Sequence, residues 1–284
     1  MKLYPIETGN FKLDGGAMFG VVPKSLWERT NPADSKNMCT WSMRSMLVED
    51  GNRLMLIDTG IGNKQSDKFF SHYYLHGDNT LKKSLNKLNF GLDDITDVFL
   101  THLHFDHCGG SVEWKDSEHT QLQPVFKNAK YWSNEEHWKW ATEPNPREKA
   151  SFLTENILPI QESGQLDFIK RTDRITKNIF EGMDIFFADG HTESQMIPMI
   201  QYKGKTVVFM ADLLPSVGHL PLPYVMGYDT RPLLTMDEKL QFLNLAADNE
   251  FILFLEHDNL NECCTVQHTE KGVRLKEILK LSDL

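Results

Sequence analysis

The segment from His102 to His107 constrains this chain more than any other feature, because its six residues carry three imidazoles and one carboxylate. It directly follows an apolar run at residues 97–100, which predicts a buried strand. Side chains two residues apart on a strand point the same way, so His102 and His104 are expected to face one point in space. Asp106 and His107 come after the expected turn, and they can face a second point.

The ligand chemistry of this segment favours a metal site. Imidazole nitrogens and carboxylate oxygens suit zinc and its neighbours among the divalent transition metals. A solvated surface loop is the alternative, and a single His-x-His would favour it. Four potential ligands in six residues at a strand end favour metal binding instead. Their spacing suggests two ions side by side, so further ligands must come from later in the chain.

Three later apolar strands are predicted to end in residues of the ligand type. His191 follows a strand within residues 180–188, Asp212 ends the second arm of a hairpin at residues 195–210, and His257 follows a fully apolar run. Each residue alone would more often be structural, but together they supply what two ions require. The predicted ligands are His102, His104 and His191 on one ion, Asp106, His107 and His257 on the other, and Asp212 shared.

Asp58 ends another predicted strand, at residues 53–57, and is followed by Thr59 and Gly60. Its carboxylate can simply cap the next turn. If this strand lies beside the one that ends at Thr101, the carboxylate can instead orient a metal-bound imidazole. The histidine cluster favours the second role. A predicted helix at residues 79–88 lies between the two strands, which gives the order strand, helix, strand.

The rest of the chain alternates between strand and helix patterns. A short hairpin is expected around Gly9 and Asn10, and a hairpin with arms near residues 41–49 and 53–57 follows. An aromatic-rich helical insertion contains His137, which is expected to be packed or at the surface. Helices are predicted at residues 64–74, 79–88, 134–140, 149–157 and 237–246, and His72, His76 and His119 are expected to be non-functional.

An apolar loop punctuated by glycines spans residues 15–23. It either covers the core or forms an apolar wall over an active site, because binding residues often lie on such loops. The candidate wall residues are Met18, Phe19, Val21 and Val22.

Composition limits the classes of partner. The formal net charge of −10, with no stripe rich in Lys or Arg, argues against nucleic acid. The four cysteines form no C-x-x-C pair and two are adjacent, which favours reduced thiols and a cytoplasmic protein. No apolar run approaches the length of a membrane span, so a soluble protein without a membrane partner is expected.

The segment His102-Leu103-His104-Phe105-Asp106-His107 resembles the H-x-H-x-D-H motif of the metallo-β-lactamase superfamily. The resemblance continues in order through Asp58-Thr59-Gly60, Gly190-His191-Thr192 and Asp212 to His257. It implies an α/β fold, the four-layer αββα sandwich, in which two mixed β-sheets are flanked by helices and a dinuclear metal site lies at one edge. It also implies one domain over residues 1–284 and is compatible with a homodimer.

Within the superfamily, residues 14–24 are similar to the N-terminal loop of quorum-quenching N-acyl homoserine lactonases, in the lactonase and phosphotriesterase branch. True metallo-β-lactamases usually lack the bridging Asp and are exported, and neither property matches this chain. Glyoxalase II shares all seven ligands but handles an anionic thioester with a basic helical C-terminal region. Residues 263–284 contain only four basic residues and no helical domain of their own.

One position departs from the lactonase pattern. The best-known lactonases place a Tyr shortly after the bridging Asp, where its hydroxyl helps to polarise the lactone carbonyl. Residues 213–216 contain no Tyr here. The nearest candidates for that role are His219, Tyr224 and Tyr228.

The ligand set implies metal-dependent hydrolysis. Two ions about 3.5–4 Å apart would share a water and bring its pKa toward neutrality, which gives a hydroxide that attacks a lactone or related ester. Asp106 could also take a proton from the attacking water and pass it to the leaving group. Zinc is the expected ion, with manganese, iron and cobalt as alternatives. The expected substrate is a small, largely uncharged and partly apolar molecule, with an N-acyl homoserine lactone favoured.

Three other functions are open. The same site suits a phosphotriesterase or thioester hydrolase. An iron-dependent oxidoreductase on the same fold is a second possibility. A non-catalytic metal-binding protein is the third, and the complete ligand set argues against it.

Overall fold

The apolar runs of the sequence form the strands of two mixed β-sheets in a computed structural model, which describes all 284 residues. One sheet has seven strands and the other six, and β5 and β6 form a separate ribbon. The strands are β1 (Lys2–Asp14), β2 (Met38–Asp50), β3 (Arg53–Ile57), β4 (Asp97–Phe99), β5 (Val112–Trp114), β6 (Leu122–Pro124), β7 (Lys130–Ser133), β8 (Leu166–Phe168), β9 (Ile175–Phe180), β10 (Met183–Ala188), β11 (Gln195–Tyr202), β12 (Lys205–Phe209), β13 (Ile252–Phe254), β14 (Cys263–Thr269) and β15 (Gly272–Leu279).

Eight α-helices and several short 3-10 turns connect the strands. The helices are α1 (Gly15–Phe19), α2 (Lys24–Trp27), α3 (Asp67–Phe70), α4 (Leu81–Lys87), α5 (Phe105–Cys108), α6 (Glu135–Thr142), α7 (Thr154–Glu162) and α8 (Pro232–Asp248). Mixed sheets together with helices confirm the predicted α/β fold class. None of the helices has both the length and the apolar character that crossing a bilayer requires.

The chain divides into two compact units, and the first comprises residues 1–9 and 43–171. Its strand β3 runs parallel to β4, and β4 runs parallel to β7. Parallel neighbours end at the same edge of a sheet, so the residues that follow β3 and β4 lie side by side. There the Asp58 backbone N–H donates to the Phe99 carbonyl at 2.9 Å. Helix α4, capped by Thr80 and with Leu85 buried in the core, lies between β3 and β4 in the chain, as predicted.

The second unit comprises residues 10–42 and 172–284. Its sheet has the order β15-β14-β13-β12-β11-β10-β9. Strands β10 and β12 are both antiparallel to β11, and β12 is parallel to β13. Strands β10, β12 and β13 therefore run in the same direction and end at one edge. Helix α8 packs on this sheet through Phe242, whose ring centroid lies 5.1 Å from that of Phe186 on β10.

The predicted hairpin around Gly9 and Asn10 is wrong, because β1 is one continuous strand. A two-residue hairpin turn of the Asn-Gly type needs positive φ at both central residues. Only Gly9 has one, at 128°, so the chain continues instead of reversing.

Three predicted helices differ by several residues from the structure. The helix predicted at residues 237–246 begins earlier, at Pro232, and ends at Asp248. The helix predicted at residues 149–157 begins only at Thr154 and extends to Glu162, because the preceding residues form a turn in which the Ser151 N–H donates to the Glu148 carbonyl at 2.7 Å. The helix predicted at residues 64–74 is helical only over Asp67–Phe70.

Candidate metal centre

The segment after β4 is fixed by the turn that follows β3. Both oxygens of the Asp58 carboxylate accept from Thr101, one from its backbone N–H at 2.8 Å and one from its hydroxyl at 2.6 Å. The Thr59 N–H donates to the His107 carbonyl at 2.7 Å. A Cβ atom on Gly109 would lie 2.2 Å from the Ile61 carbonyl oxygen, so only glycine allows this close approach.

His102 and His104 turn one ring nitrogen toward each other. Nε2 of His102 lies 3.1 Å from Nδ1 of His104. The outer nitrogens have other contacts, because Nδ1 of His102 lies 3.0 Å from the Thr101 hydroxyl oxygen and Nε2 of His104 lies 3.4 Å from Oε1 of Glu148. If the outer nitrogens carry the protons, two lone pairs face each other, and a cation between them would satisfy both.

Helix α5 places Asp106 and His107 beside this pair. Nδ1 of His107 lies 3.1 Å from Oδ2 of Asp58, and Nε2 of His107 lies 3.7 Å from Oδ2 of Asp106. The Leu103 N–H donates to Nε2 of His137 at 2.9 Å, which fixes the segment from its other side. His137 is fully buried, as a packed histidine.

In the second unit, Asp212 contacts two imidazoles at once. Its Oδ2 lies 3.0 Å from Nε2 of His191, and its Oδ1 lies 3.0 Å from Nε2 of His257. These residues follow β10, β12 and β13, the three strands that end at one edge of the sheet. The three residues therefore lie together at this edge of the sheet.

The outer nitrogens of both imidazoles are held by acceptors. Nδ1 of His191 lies 2.9 Å from Oδ1 of Asp229, and Nδ1 of His257 lies 2.8 Å from the Ser42 carbonyl oxygen. Because a carbonyl only accepts, Nδ1 of His257 carries the proton, and its Nε2 presents a lone pair to Asp212. Lone pairs of imidazole and carboxylate facing each other at this distance fit a bound cation.

Electrostatics in this group favour positive charge. Burial lowers the pKa of His191, but the carboxylates of Asp212 and Asp229 outweigh it and raise this pKa to about 10. A divalent cation would supply positive charge at the same place.

Ligand-type side chains lie together within each unit. They are Asp58, His102, His104, Asp106 and His107 in the first unit, and His191, Asp212 and His257 in the second. Each of the seven residues predicted as ligands is buried. Nitrogen and oxygen donors in such buried groups fit zinc and related ions.

The structure places His219 in the core of the second unit. Its Nε2 lies 2.9 Å from the Met18 carbonyl oxygen, and its Nδ1 lies 2.8 Å from the Ser216 hydroxyl. Its ring stacks on Phe19 at 4.3 Å between centroids. With both nitrogens engaged, His219 fixes the loop around Phe19, and its predicted catalytic role stays a prediction.

Tyr224 and Tyr228 lie on the loop that follows. Tyr224 is half-buried and packs edge-on against Phe19, while Tyr228 is exposed. The contact between Tyr224 and Phe19 places this side chain against α1. Whether either hydroxyl polarises a substrate carbonyl stays a prediction.

The predicted wall residues divide into two kinds. Met18 and Phe19 are buried, with Phe19 stacked between Trp27 and His219, and Val22 is also buried. Val21 is 96% exposed. Residues 15–19 form α1, capped by the Asp14 side chain, instead of an irregular loop.

Sequence reasoning missed the residues that orient the imidazoles. Asp229 lies in a loop and Glu148 lies in a turn between helices, so neither ends an apolar strand. The Ser42 contact uses a backbone carbonyl, which carries no signal of residue type. The role of Asp58 beside an imidazole could be predicted because Asp58 directly follows a strand.

Comparison with known proteins identifies the family. The model of the metallo-β-lactamase superfamily matches residues 44–257. A probable metal-dependent hydrolase from Staphylococcus aureus has a similar structure, with a TM-score of 0.86 at 26% identity over 98% of this chain and 96% of that chain.

Two further solved structures are similar in fold. The dizinc quorum-quenching lactonase AidC, in complex with a product, has a TM-score of 0.77 at 22% identity over 96% of this chain and 93% of that chain. An N-acyl homoserine lactone hydrolase with N-hexanoyl-L-homoserine at its catalytic metal centre has a TM-score of 0.67 at 17% identity, over 91% and 93%. This chain belongs to the metallo-β-lactamase superfamily and is a metal-dependent enzyme of the hydrolase type.

Proposed function

We propose that the enzyme opens a lactone or cleaves a related ester, and that an N-acyl homoserine lactone-like molecule is its favoured substrate. The observation that carries this proposal is the carboxylate of Asp212, whose two oxygens each lie 3.0 Å from an imidazole nitrogen. A carboxylate with one oxygen toward each of two imidazoles has the geometry of a bridging ligand.

The assignment of ligands is part of the proposal. One ion is held by His102, His104 and His191, the other by Asp106, His107 and His257, and Asp212 is shared by both. The contact of His102 with His104, and the contacts of Asp212 with His191 and His257, support the assignment. Two divalent ions, with zinc expected, would supply Lewis acidity toward a carbonyl oxygen and lower the pKa of a water.

The residues around the ligands prepare the site. Asp58, Asp229 and the Ser42 carbonyl each lie at hydrogen-bond distance from the outer nitrogen of one imidazole and thereby fix the ring and its tautomer. Glu148 lies 3.4 Å from the outer nitrogen of His104. This leaves the inner nitrogens as donors to a cation. Burial of the rings keeps bulk water from competing for those nitrogens.

Asp106 is the proposed carrier of the proton. Its side chain is almost fully buried, so it is largely shielded from solvent. The carboxylate would take a proton from the attacking water and deliver it to the leaving oxygen of the opened ester.

The choice of substrate rests on two supports. The N-terminal stretch at residues 14–24 is similar to the corresponding loop of lactonases. Two solved proteins of similar fold are a dizinc quorum-quenching lactonase and an N-acyl homoserine lactone hydrolase.

A panel of substrates tests the proposal. Acyl homoserine lactones, aryl esters, thioesters and phosphotriesters are assayed with enzyme of known zinc content. The proposal expects the highest kcat/KM on a lactone. Faster turnover of phosphotriesters or thioesters would overturn the substrate assignment, and no hydrolysis of any of them by zinc-loaded enzyme would overturn the hydrolytic function.

A further inference from the structure

The turn that carries His191 is docked on the beginning of helix α8. The Thr230 N–H donates to the His191 carbonyl at 3.1 Å, and the Arg231 N–H donates to the Gly190 carbonyl at 2.9 Å. A Cβ atom on Gly190 would lie 2.3 Å from the Thr235 nitrogen. The backbone of this turn is therefore in direct contact with the backbone of α8.

Glu238 is the side chain of α8 that holds this turn. It is 1% exposed. Its Oε1 and Oε2 accept from the Asp189 N–H at 2.9 and 3.0 Å, and its Oε2 also accepts from the Gly190 N–H at 2.9 Å. Arg174 donates to Oε1 through Nη1 at 2.6 Å. The carboxylate thus binds the two backbone N–H groups that immediately precede His191.

A carboxylate at position 238 suits these contacts better than an amide would, because both of its oxygens accept hydrogen bonds. Burial of an ionised carboxylate is unfavourable unless charged and hydrogen-bonding partners compensate for it. An amide in its place would keep one acceptor oxygen and direct N–H donors at the N–H groups of the turn or at Arg174. The turn would then shift, and the His191 imidazole would move with it relative to Asp212.

We propose that Glu238 is a positioning residue for one of the two metal ions and acts through the backbone of residues 189 and 190. The proposal rests on the ligand assignment of the proposed function. In that assignment, His191 binds the ion that His102 and His104 also hold, and not the ion of Asp106, His107 and His257. Loss of the Glu238 carboxylate should therefore weaken the binding of this ion and leave the binding of the other ion unchanged.

The test is a zinc titration of the purified full-length enzyme with a competing chelator. Wild-type enzyme is compared with Glu238→Gln and with Asp237→Asn, an exposed neighbour on the same helix that serves as the matched control. We expect Glu238→Gln to bind one zinc ion as tightly as wild type and the other about 10–100-fold more weakly. Asp237→Asn should retain both affinities.

Activity and stability give a second readout. Glu238→Gln should lose activity at limiting zinc and regain it at high zinc. Unfolding of the metal-free variant shows how far the substitution acts on folding alone. An equal fall in the affinity for both ions would show a general structural defect and would overturn the positioning role. Two unchanged affinities would also overturn it. Fewer than two tight zinc ions in the wild type would instead contradict the proposed function.

Discussion

His191 and Asp229 form a pair in which Nδ1 of the imidazole lies 2.9 Å from Oδ1 of the carboxylate. The other carboxylate oxygen, Oδ2, accepts from the Met226 N–H at 3.1 Å, so Asp229 is itself fixed. The pair orients the opposite nitrogen, Nε2, toward Asp212 at 3.0 Å. A carboxylate in this position also increases the basicity of a ligating imidazole.

Replacement of Asp229 by alanine should weaken metal binding. The imidazole of His191 would lose both its orientation and the acceptor for Nδ1, so we expect zinc affinity to fall about 10–100-fold. Asp229→Asn retains an acceptor oxygen and should show a smaller loss. Zinc competition titrations measure both variants, with the exposed Asp248→Ala as control. Wild-type affinity in Asp229→Ala would contradict the assigned contact.

Asp58 should matter for folding as well as for metal binding. It is fully buried, and its carboxylate accepts from the backbone N–H and the hydroxyl of Thr101 and contacts Nδ1 of His107. Alanine at this position leaves those buried donors unpaired, which should lower the free energy of unfolding by about 2–4 kcal/mol. Urea unfolding of the metal-free protein measures this loss. A change below about 0.5 kcal/mol, the range of ordinary surface substitutions, would show that Asp58 does not stabilise the turn.

Lys239 should stabilise the loop that carries Tyr224. Its ammonium donates to the carbonyls of His219, Pro221 and Tyr224 at 2.9, 3.1 and 2.9 Å, from a side chain that is 1% exposed. Lys239→Met fills the space but leaves these acceptors without the ammonium. We expect the free energy of unfolding to fall by about 2–4 kcal/mol, while the exposed Lys271→Met should be neutral. Equal stability of the two variants would contradict this role.

The neutral form of His219 should make stability depend on pH. Burial lowers the pKa of His219 to about 3, whereas an unfolded histidine titrates near about 6.5. Between these values the unfolded state binds the extra proton, so stability is lost as the pH falls through the window. The free energy of unfolding of the metal-free protein, followed from pH 7 toward acid, should fall less steeply in His219→Gln. Parallel curves for the two proteins would contradict the low pKa.

Strand direction explains why much of the site could be predicted from the sequence. Asp58 and Thr101 follow parallel strands, and the ligands of the second unit follow strands that run the same way. A polar residue at the end of an apolar run is visible in the sequence, and the geometry of the sheet then determines where it lies. The hairpin predicted at residues 195–210 is confirmed as β11 and β12, which span Gln195–Tyr202 and Lys205–Phe209.

Residues outside regular strands could not be placed in this way. Glu148 and Asp229 reach the imidazoles from a turn and a loop, whose paths depend on tertiary contacts. Glu238 lies on helix α8, and it is buried because the turn at residues 189 and 190 packs against this side of the helix. The sequence does not show that contact. The hairpin predicted around Gly9 and Asn10 is wrong because such a turn needs positive φ at two residues, and only Gly9 has one.

Removal and restoration of zinc, with opening of N-hexanoyl homoserine lactone as the assay, tests the central claim most directly. Chelated enzyme should lose activity and should regain it in proportion to zinc until two ions are bound per chain, whereas Asp212→Asn and His104→Ala should stay inactive. The contrary result would be undiminished lactone opening by metal-free enzyme, or zinc-replete Asp212→Asn that turns over at the wild-type rate.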